Sequence, residues 1–598
     1  MSAVLGVENS LSGRLWRARH GDDRAALALA QRFGLPEIIG RLLAGRGIAV
    51  EECEKFLAPT LRDCLPDPSH LKDMDRAIER LVRAVRHGEL VAIFGDYDVD
   101  GATSSALLRR FFAAVGAPTL LYIPDRQREG YGPNAEALRQ LQARGAGVVV
   151  TVDCGITGHR ALEEAAKIGL DVIVVDHHLG EPALPPAFAV IDPNRLDEET
   201  PHRMLAAVGV TFLLVAGINR ALRQAGWYAG ARREPDLLQW LDLVALGTIC
   251  DVVPLTGVNR ALVAQGLKVL RARRNIGLSA LSDAAGIGER LDAYHAGFIL
   301  GPRVNAGGRV GAAELGARLL STEDQAEARE LAAHLHRLNA ERREIEARVL
   351  AEAITQVECN RPGPVIFAAG EGWHPGVIGI VASRLKDRYN RPACVIAFAD
   401  GIGRGSGRSV AGLALGPIII TAQQAGLLMQ GGGHAMAAGF TVAREKLEAF
   451  CEFLSARVAA ILGEGGGGAE LGIDGALAAA AATPDLTALI DRIGPFGSGN
   501  AEPRFVFPNL RVLRAEIVGE EHVRCVLGDG AGSARLKGIA FRVLPKDGDA
   551  EAGLLGKTLL QAQGAGFHLA GHLRADNWQG RDGVQLFIDD AAPALGAS

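Results

Sequence analysis

Long apolar runs are missing from this chain. It has no stretch of about 18 uncharged hydrophobic residues, so no membrane-spanning helix is expected. The opening MSAVLGVENSLSGRLW carries no apolar signal-type core, and the chain reads as soluble and cytoplasmic. Cysteine is sparse too: eight cysteines are scattered over 598 residues without a C-x-x-C pair, which argues against a disulfide framework and against a thiolate zinc site. Excess positive charge is also lacking. A net charge of −5 and a pI near 6.3 exclude a protein that coats nucleic acid through bulk charge, while leaving room for a local basic channel.

What is present is a globular composition, 48% apolar and 22% charged, on a chain too long for one core, which implies about three or four domains. Residues 1–70 read as a helical lead-in. From about residue 75 helices alternate with short β-branched runs: LVAIFGD, APTLLYIPD, GVVVTVD and LDVIVVD. Such alternation predicts an α/β fold with a doubly wound parallel sheet, over 71–321. Ligands of such sheets bind beyond the carboxyl ends of the strands. GPRVNAGGRVG at 301–311 reads as a loop. The stretch 322–359, free of Gly and nearly free of turn residues, reads as one long connecting helix. A second α/β lobe is expected over 360–462, with two glycine-rich loops, then a Gly-rich linker at 463–469. Alternating runs punctuated by Gly and Asp over 470–598 predict a small antiparallel barrel of the oligonucleotide-binding (OB) type.

Chemistry concentrates in acidic motifs at predicted strand ends. Asp96, Asp98 and Asp100 stand in FGDYDVDG, Asp153 in VTVDCG, and Asp176-His177-His178 in VVDHH; Asp251 lies in GTICDVVP. An EF-hand calcium loop is excluded, because its twelfth position would need a glutamate and is Leu107. Imidazole among carboxylates is a mixed nitrogen and oxygen donor set that suits Mn²⁺ and tolerates Mg²⁺. Four or more carboxylates can neutralise two divalent cations, the arrangement that clamps a phosphoryl group and activates water, so phosphoester hydrolysis is the expected chemistry.

In this order the four motifs resemble those of the DHH phosphoesterase superfamily, and GGGHAMAAG at 431–439 resembles its associated substrate domain. PDRQREGYG, GPRVNAGGR, GRGSGRS and FGSGNAEPRF are similar to the branch of single-strand-specific 5′→3′ DNA exonucleases, and the resemblance covers nearly the whole chain. It implies that Asp98, Asp100, Asp153, His177 and Asp251 ligate the cations, with Asp153 bridging them, and that His178 approaches the scissile phosphate. Asp96 is either a further ligand, in place of a histidine that related pyrophosphatases carry where Phe94 stands, or a support for Asp98 and Asp100. Asp176 reads as an orienter of a neighbouring imidazole.

The same resemblance assigns Arg126, Ser406 and Arg408 to the 5′-terminal phosphate and Arg303 to the backbone near the cleavage point, with Asn305, Arg309 and His434 also facing the substrate. Guanidinium groups suit bidentate phosphate contacts. GRGSGRS is not a Walker loop, since its spacing would need Gly at Ile402 and Lys at Arg408. Tyr131 is left open between base stacking and core. The implied activity is 5′→3′ hydrolysis of single-stranded DNA by a two-metal mechanism, releasing 5′-mononucleotides in recombination and repair. Expected partners are a DNA strand with a 5′ end, a single-stranded-DNA-binding protein and a RecQ-type helicase, with no membrane and a monomeric state. Another DHH phosphoesterase acting on short oligonucleotides or small phosphates, or a non-catalytic DNA-binding scaffold, is the alternative.

Overall fold

The computed structural model describes residues 3–19, 21–126, 128–288, 291–360, 362–463, 469–529, 534–544, 553–562, 564–576 and 583–594; most of the expected Gly-rich linker lies outside them. The chain divides into two compact units, residues 66–253 with 265–467, and residues 1–65 with 254–264 and 468–598.

The larger unit begins with a five-stranded, all-parallel sheet. Numbered along the chain, its strands are Leu90–Gly95, Thr119–Tyr122, Ala146–Val152, Asp171–Val175 and Ala189–Ile191, and they lie side by side in the order 2-1-3-4-5. The valine-rich runs are buried along nearly their whole length, as strands covered on both faces must be. One face packs on helices Ala135–Ala143 and His159–Lys167 through Phe94, Val149, Leu138 and Leu162. Each such buried side chain contributes about 1.5–3 kcal/mol. In the 2-1-3-4-5 order the winding reverses between the first and third strands, and their carboxyl ends frame a crevice there. The fifth strand is three residues long, too short to show a period in the sequence.

Gly301–Val310 is a helix, not the loop its glycines suggested. It follows a π-turn, His295–Leu300, and Gly308 lies so close to Tyr97 that an added Cβ would sit 2.8 Å from the Tyr97 carbonyl. Glycine here serves close approach rather than a turn. The long helix runs Gln325–Asn360, 36 residues or about 54 Å.

The second lobe carries a mixed sheet in the order Gln430–Gly433, Ala437–Ala443, Ile402–Arg408, Ala393–Ala399, Ile366–Glu371. Of the motifs read as glycine-rich loops, GRGSGRS is therefore a strand, and GGGHAMAAG is a hairpin with His434 in its turn. In Ile402–Arg408 the period is two: Gly403, Gly405 and Gly407 face the core, and Arg404, Ser406 and Arg408 face away. An added Cβ at Gly405 would lie 2.1 Å from the Phe440 ring, so aromatic packing, not loop geometry, accounts for the glycine.

The smaller unit is a closed five-stranded barrel, the OB fold. Phe505–Val518, His522–Gly528, Arg535–Ala540, Gly583–Pro593 and Gly566–Asp576 pair in that order, and the last returns to the first. The supposed helical lead-in also holds a strand, Leu15–Ala18, parallel to Glu470–Ile473. Trp16 is fully buried and its indole N–H donates to Asp590 at 2.9 Å. Helices Asp23–Phe33 and Glu37–Ala44 share the hydrophobic core of the barrel.

Candidate metal centre and nucleic-acid interface

Each acidic motif is delivered by the backbone element before it. Asp96 follows the first strand and Asp153 the third, on either side of the point where the winding reverses. Asp98 caps the helix Val99–Ala114, its carboxylate accepting from the N–H groups of Asp100 (2.8 Å) and Gly101 (3.1 Å). Gly101 permits this turn, for a Cβ there would be 2.5 Å from the Asp96 carbonyl. Asp100 is buried and its two oxygens accept from Ala207 N (2.7 Å) and Val208 N (2.9 Å), at the start of the helix Ala207–Gln224. Asp251 comes not from a strand but from the carboxyl end of the helix Leu241–Cys250. Asp153 holds a left-handed backbone, φ 61°, a strained conformation that aspartate tolerates better than most residues.

These side chains converge in three overlapping groups, each with donor atoms within 4.8 Å of one another: Asp96, Asp98 and Asp153; Asp153, His177 and His178; and Asp100, His177 and Asp251. His177 Nε2 lies 3.3 Å from Asp153 and 3.6 Å from Asp251. Burial, then the neighbouring charge of Asp98, pushes Asp96 and Asp153 well above the ordinary carboxylate range. Asp100 is pushed up to about 7 by burial and then Asp251, and Asp251 to about 7 by burial and then Asp98. Burial lowers the pKa of His177. Among the described residues, three buried atoms aimed into this cluster, Asp96 Oδ1, His177 Nε2 and Asp251 Oδ2, make no hydrogen bond. Buried polar atoms left bare are costly. Their convergence, and their mixture of carboxylate and imidazole, fit divalent cations as the missing partner.

Asp176 behaves differently. One oxygen accepts from His177 N, His178 N and the His178 ring (2.7 Å), and the other from Ile156 N (3.0 Å). Although burial opposes it, the hydrogen bond from His178 holds Asp176 below its ordinary pKa. Against the same burial, that bond raises His178 to about 9. Tyr131 joins this network: its hydroxyl donates to the Asp153 carbonyl at 2.9 Å and meets His178 Nδ1 at 3.2 Å.

The sequence reading missed two residues just beyond the fifth strand. Asp192 follows Ala189–Ile191 just as Asp96, Asp153 and Asp176 follow theirs. It is buried and pushed up to about 7 by burial and then Asp176. Asn194 donates from Nδ2 to the carbonyls of His177 (2.6 Å) and Arg203 (3.0 Å), tethering the histidine turn. Recognising the strand would have exposed both.

The expected phosphate donors separate into two sets. Arg126 lies over the Tyr97 ring, 5.0 Å from its centroid. Burial, then Arg126, holds both Arg309 (down to about 10) and Arg408 below the ordinary arginine pKa, so the three guanidinium groups are neighbours. Arg408 donates to Ser406 Oγ at 3.1 Å and Arg309 to the Gly376 carbonyl at 2.9 Å. A cavity of about 180 Å³ is lined by Arg126, Arg128, Arg309, His374 and Asp125 among others; His374 was not foreseen. Arg303 lies apart from this set. It donates to the Ile299 carbonyl (2.7 Å) and faces His336 on the long helix. Asn305 is half-buried on the same short helix, and His434 is exposed in the turn between Gln430–Gly433 and Ala437–Ala443, bonded through its backbone to Ala437 and Gly416.

No described helix is long and apolar enough to cross a membrane. A model of the DHH family, N-terminal domain, matches residues 90–248, a DHHA1 domain model residues 362–460, and a RecJ OB domain model residues 473–590. The chain is 37% identical to the single-stranded-DNA-specific exonuclease RecJ of Salmonella typhimurium over 97% of its own length and 99% of that protein. It is likewise 37% identical to the Escherichia coli exonuclease, over 96% and 99%. The crystal structure of Thermus thermophilus RecJ in complex with Mn²⁺ superposes with a TM-score of 0.79 at 30% identity, covering 98% of this chain and 80% of that one. With its catalytic-type, associated and OB domains all matched in order, the chain belongs to the family of the single-stranded-DNA-specific exonuclease RecJ.

Proposed function

We propose that the protein is a metal-dependent, single-stranded-DNA-specific 5′→3′ exonuclease, and that the cluster at the sheet's reversal point is its catalytic centre. The observation that carries this reading is the set of bare buried donor atoms on Asp96, His177 and Asp251, beside the arginine group of Arg126, Arg309 and Arg408. Asp96, Asp98, Asp100, Asp153, His177 and Asp251 would hold two divalent cations, Mn²⁺ by preference or Mg²⁺, with Asp153 shared between them. Asp96 enters this set as a direct ligand, in keeping with its bare Oδ1. When bound, the cations supply charge neutralisation and an activated water at the scissile phosphorus.

The rest is the work of the chain's own residues. Asp176 keeps His178 protonated and fixes its ring, so that Nε2–H can donate to a phosphate oxygen as negative charge builds there. Tyr131 meets the same Nδ1 edge of that ring through its hydroxyl, a role other than base stacking. Arg126 and Arg408, with Ser406, would grip the 5′-terminal phosphate, and Arg309 would face the same group. Arg303 would contact the strand further along, and Asn305 and His434 would border its path. A free single strand is the product of duplex unwinding, which favours a RecQ-type helicase and a single-stranded-DNA-binding protein as cytoplasmic partners of a monomeric enzyme.

A 5′-phosphorylated single strand should yield mononucleotides in Mn²⁺, while a blunt duplex, an RNA of the same sequence and pyrophosphate should not. Cleavage of pyrophosphate in preference to the strand would instead favour a small-substrate phosphoesterase. Asp153→Asn, which suits the left-handed backbone, should abolish cleavage while strand binding persists. Retained nuclease activity in that variant would sink the assignment of the centre.

A further inference from the structure

The π-turn His295–Leu300 has two faces of opposite character. Its inward face is pressed on the last turn of the helix that ends at Asp251. Cys250 Sγ–H donates to the Ala296 carbonyl at 3.6 Å. An added Cβ would sit 2.4 Å from Cys250 Sγ at Gly301, where the thiol would have to move, and 3.1 Å from Ile249 Cγ2 at Gly297, a tight contact. The outward face is aromatic. Phe298 is 73% exposed and Tyr294 49% exposed, and the two rings stack with centroids 5.3 Å apart and planes 28° from parallel. His295 meets Tyr294 edge-on and is bonded to Asp292, which takes up that carboxylate locally. Arg303, in the next turn, folds back to donate to the Ile299 carbonyl at 2.7 Å, and its Nε faces His336 on the long helix.

Large aromatic side chains are normally buried, and a π-turn is an uncommon distortion that gathers at functional sites. Here the distortion turns two aromatic rings outward while its other side packs on the helical turn that precedes a proposed metal ligand. Exposed aromatic rings bind single-stranded nucleic acid without reading its sequence, because every base offers a π-face to stack on them. We propose that Tyr294 and Phe298 form a base-stacking step for the single strand, on the turn that packs against the end of the helix preceding Asp251. This rests on the exonuclease reading above and adds to it a substrate contact outside the arginine group.

The test uses the full chain in the Asp153→Asn background, with single strands carrying the fluorescent base 2-aminopurine at each successive position from the 5′ end. Stacking should quench the probe at one or two adjacent positions. Phe298→Ala should restore the fluorescence at those positions only and weaken strand binding by about tenfold; Tyr294→Ala should act in the same direction, and Phe298→Trp should preserve the quench. A quench pattern unchanged by Phe298→Ala, or a loss of affinity with no position-specific signal, would overturn the proposal. So would a shift of the variant from dimer to monomer, which would make the step a contact between copies. Cleavage by Asp153→Asn itself would count against the catalytic centre and leave the stacking result to stand separately.

Discussion

At the scale of single residues, the site is defined by what its atoms lack. Asp176 spends both oxygens within its own turn, whereas Asp96 Oδ1, His177 Nε2 and Asp251 Oδ2 are buried and bare. Burial and then repulsion in that cluster have a consequence for stability. Asp100 and Asp251 keep their protons in the fold up to about pH 7, while the unfolded chain releases them near 3.8. The folded state therefore binds more protons across that window, and metal-free protein should lose stability as the pH rises from about 4 to about 7, then level off. Melting curves in chelator across that range should show the decline, added Mn²⁺ should reverse it, and Asp153→Asn should melt higher than the parent without metal. A melting temperature that rises over the same window would contradict the cluster's assigned burial. Asn194 supports the histidine turn from outside. Asn194→Ala should raise the Mn²⁺ concentration for half-maximal cleavage by about 10–100-fold, and an unchanged metal requirement would reduce Asn194 to a purely structural tether.

At the scale of elements, glycine was the residue most easily misread. GRGSGRS and GPRVNAGGRVG look like loops by composition, yet they form a strand and a helix. Turn propensity is a local preference, and close packing overrides it where a ring or a backbone occupies the place of a side chain. At Gly405 that occupant is Phe440. Gly405→Ala should destabilise the second lobe by about 1–3 kcal/mol, seen as an earlier transition in denaturant, because the ring has no free space to enter. Arg404→Ala, on the exposed face of the same strand, should leave the transition in place. The strand Ala189–Ile191 failed for the opposite reason: three apolar residues display no period, and Asp192 and Asn194 went unread with it.

At the scale of the molecule, the two ends of the chain belong to one unit, with Leu15–Ala18 beside Glu470–Ile473 and Trp16 bonded to Asp590. Trp16→Phe leaves a buried carboxylate short of a donor and should cost about 1–3 kcal/mol, measurable as a lower melting temperature of the barrel unit. No local pattern announces a pairing across more than 450 residues. The parallel sheet, the long helix, the barrel and the acidic motifs at strand ends were all legible in the sequence, because periodicity and strand-end chemistry are properties of neighbouring residues. Tertiary structure alone decided which donors stand bare, that Arg309 gathers with Arg126 and Arg408 while Arg303 faces another way, and that an aromatic pair stands exposed on the turn packed against the helix that precedes Asp251. Those are distances between residues far apart in the chain, and only packing sets them.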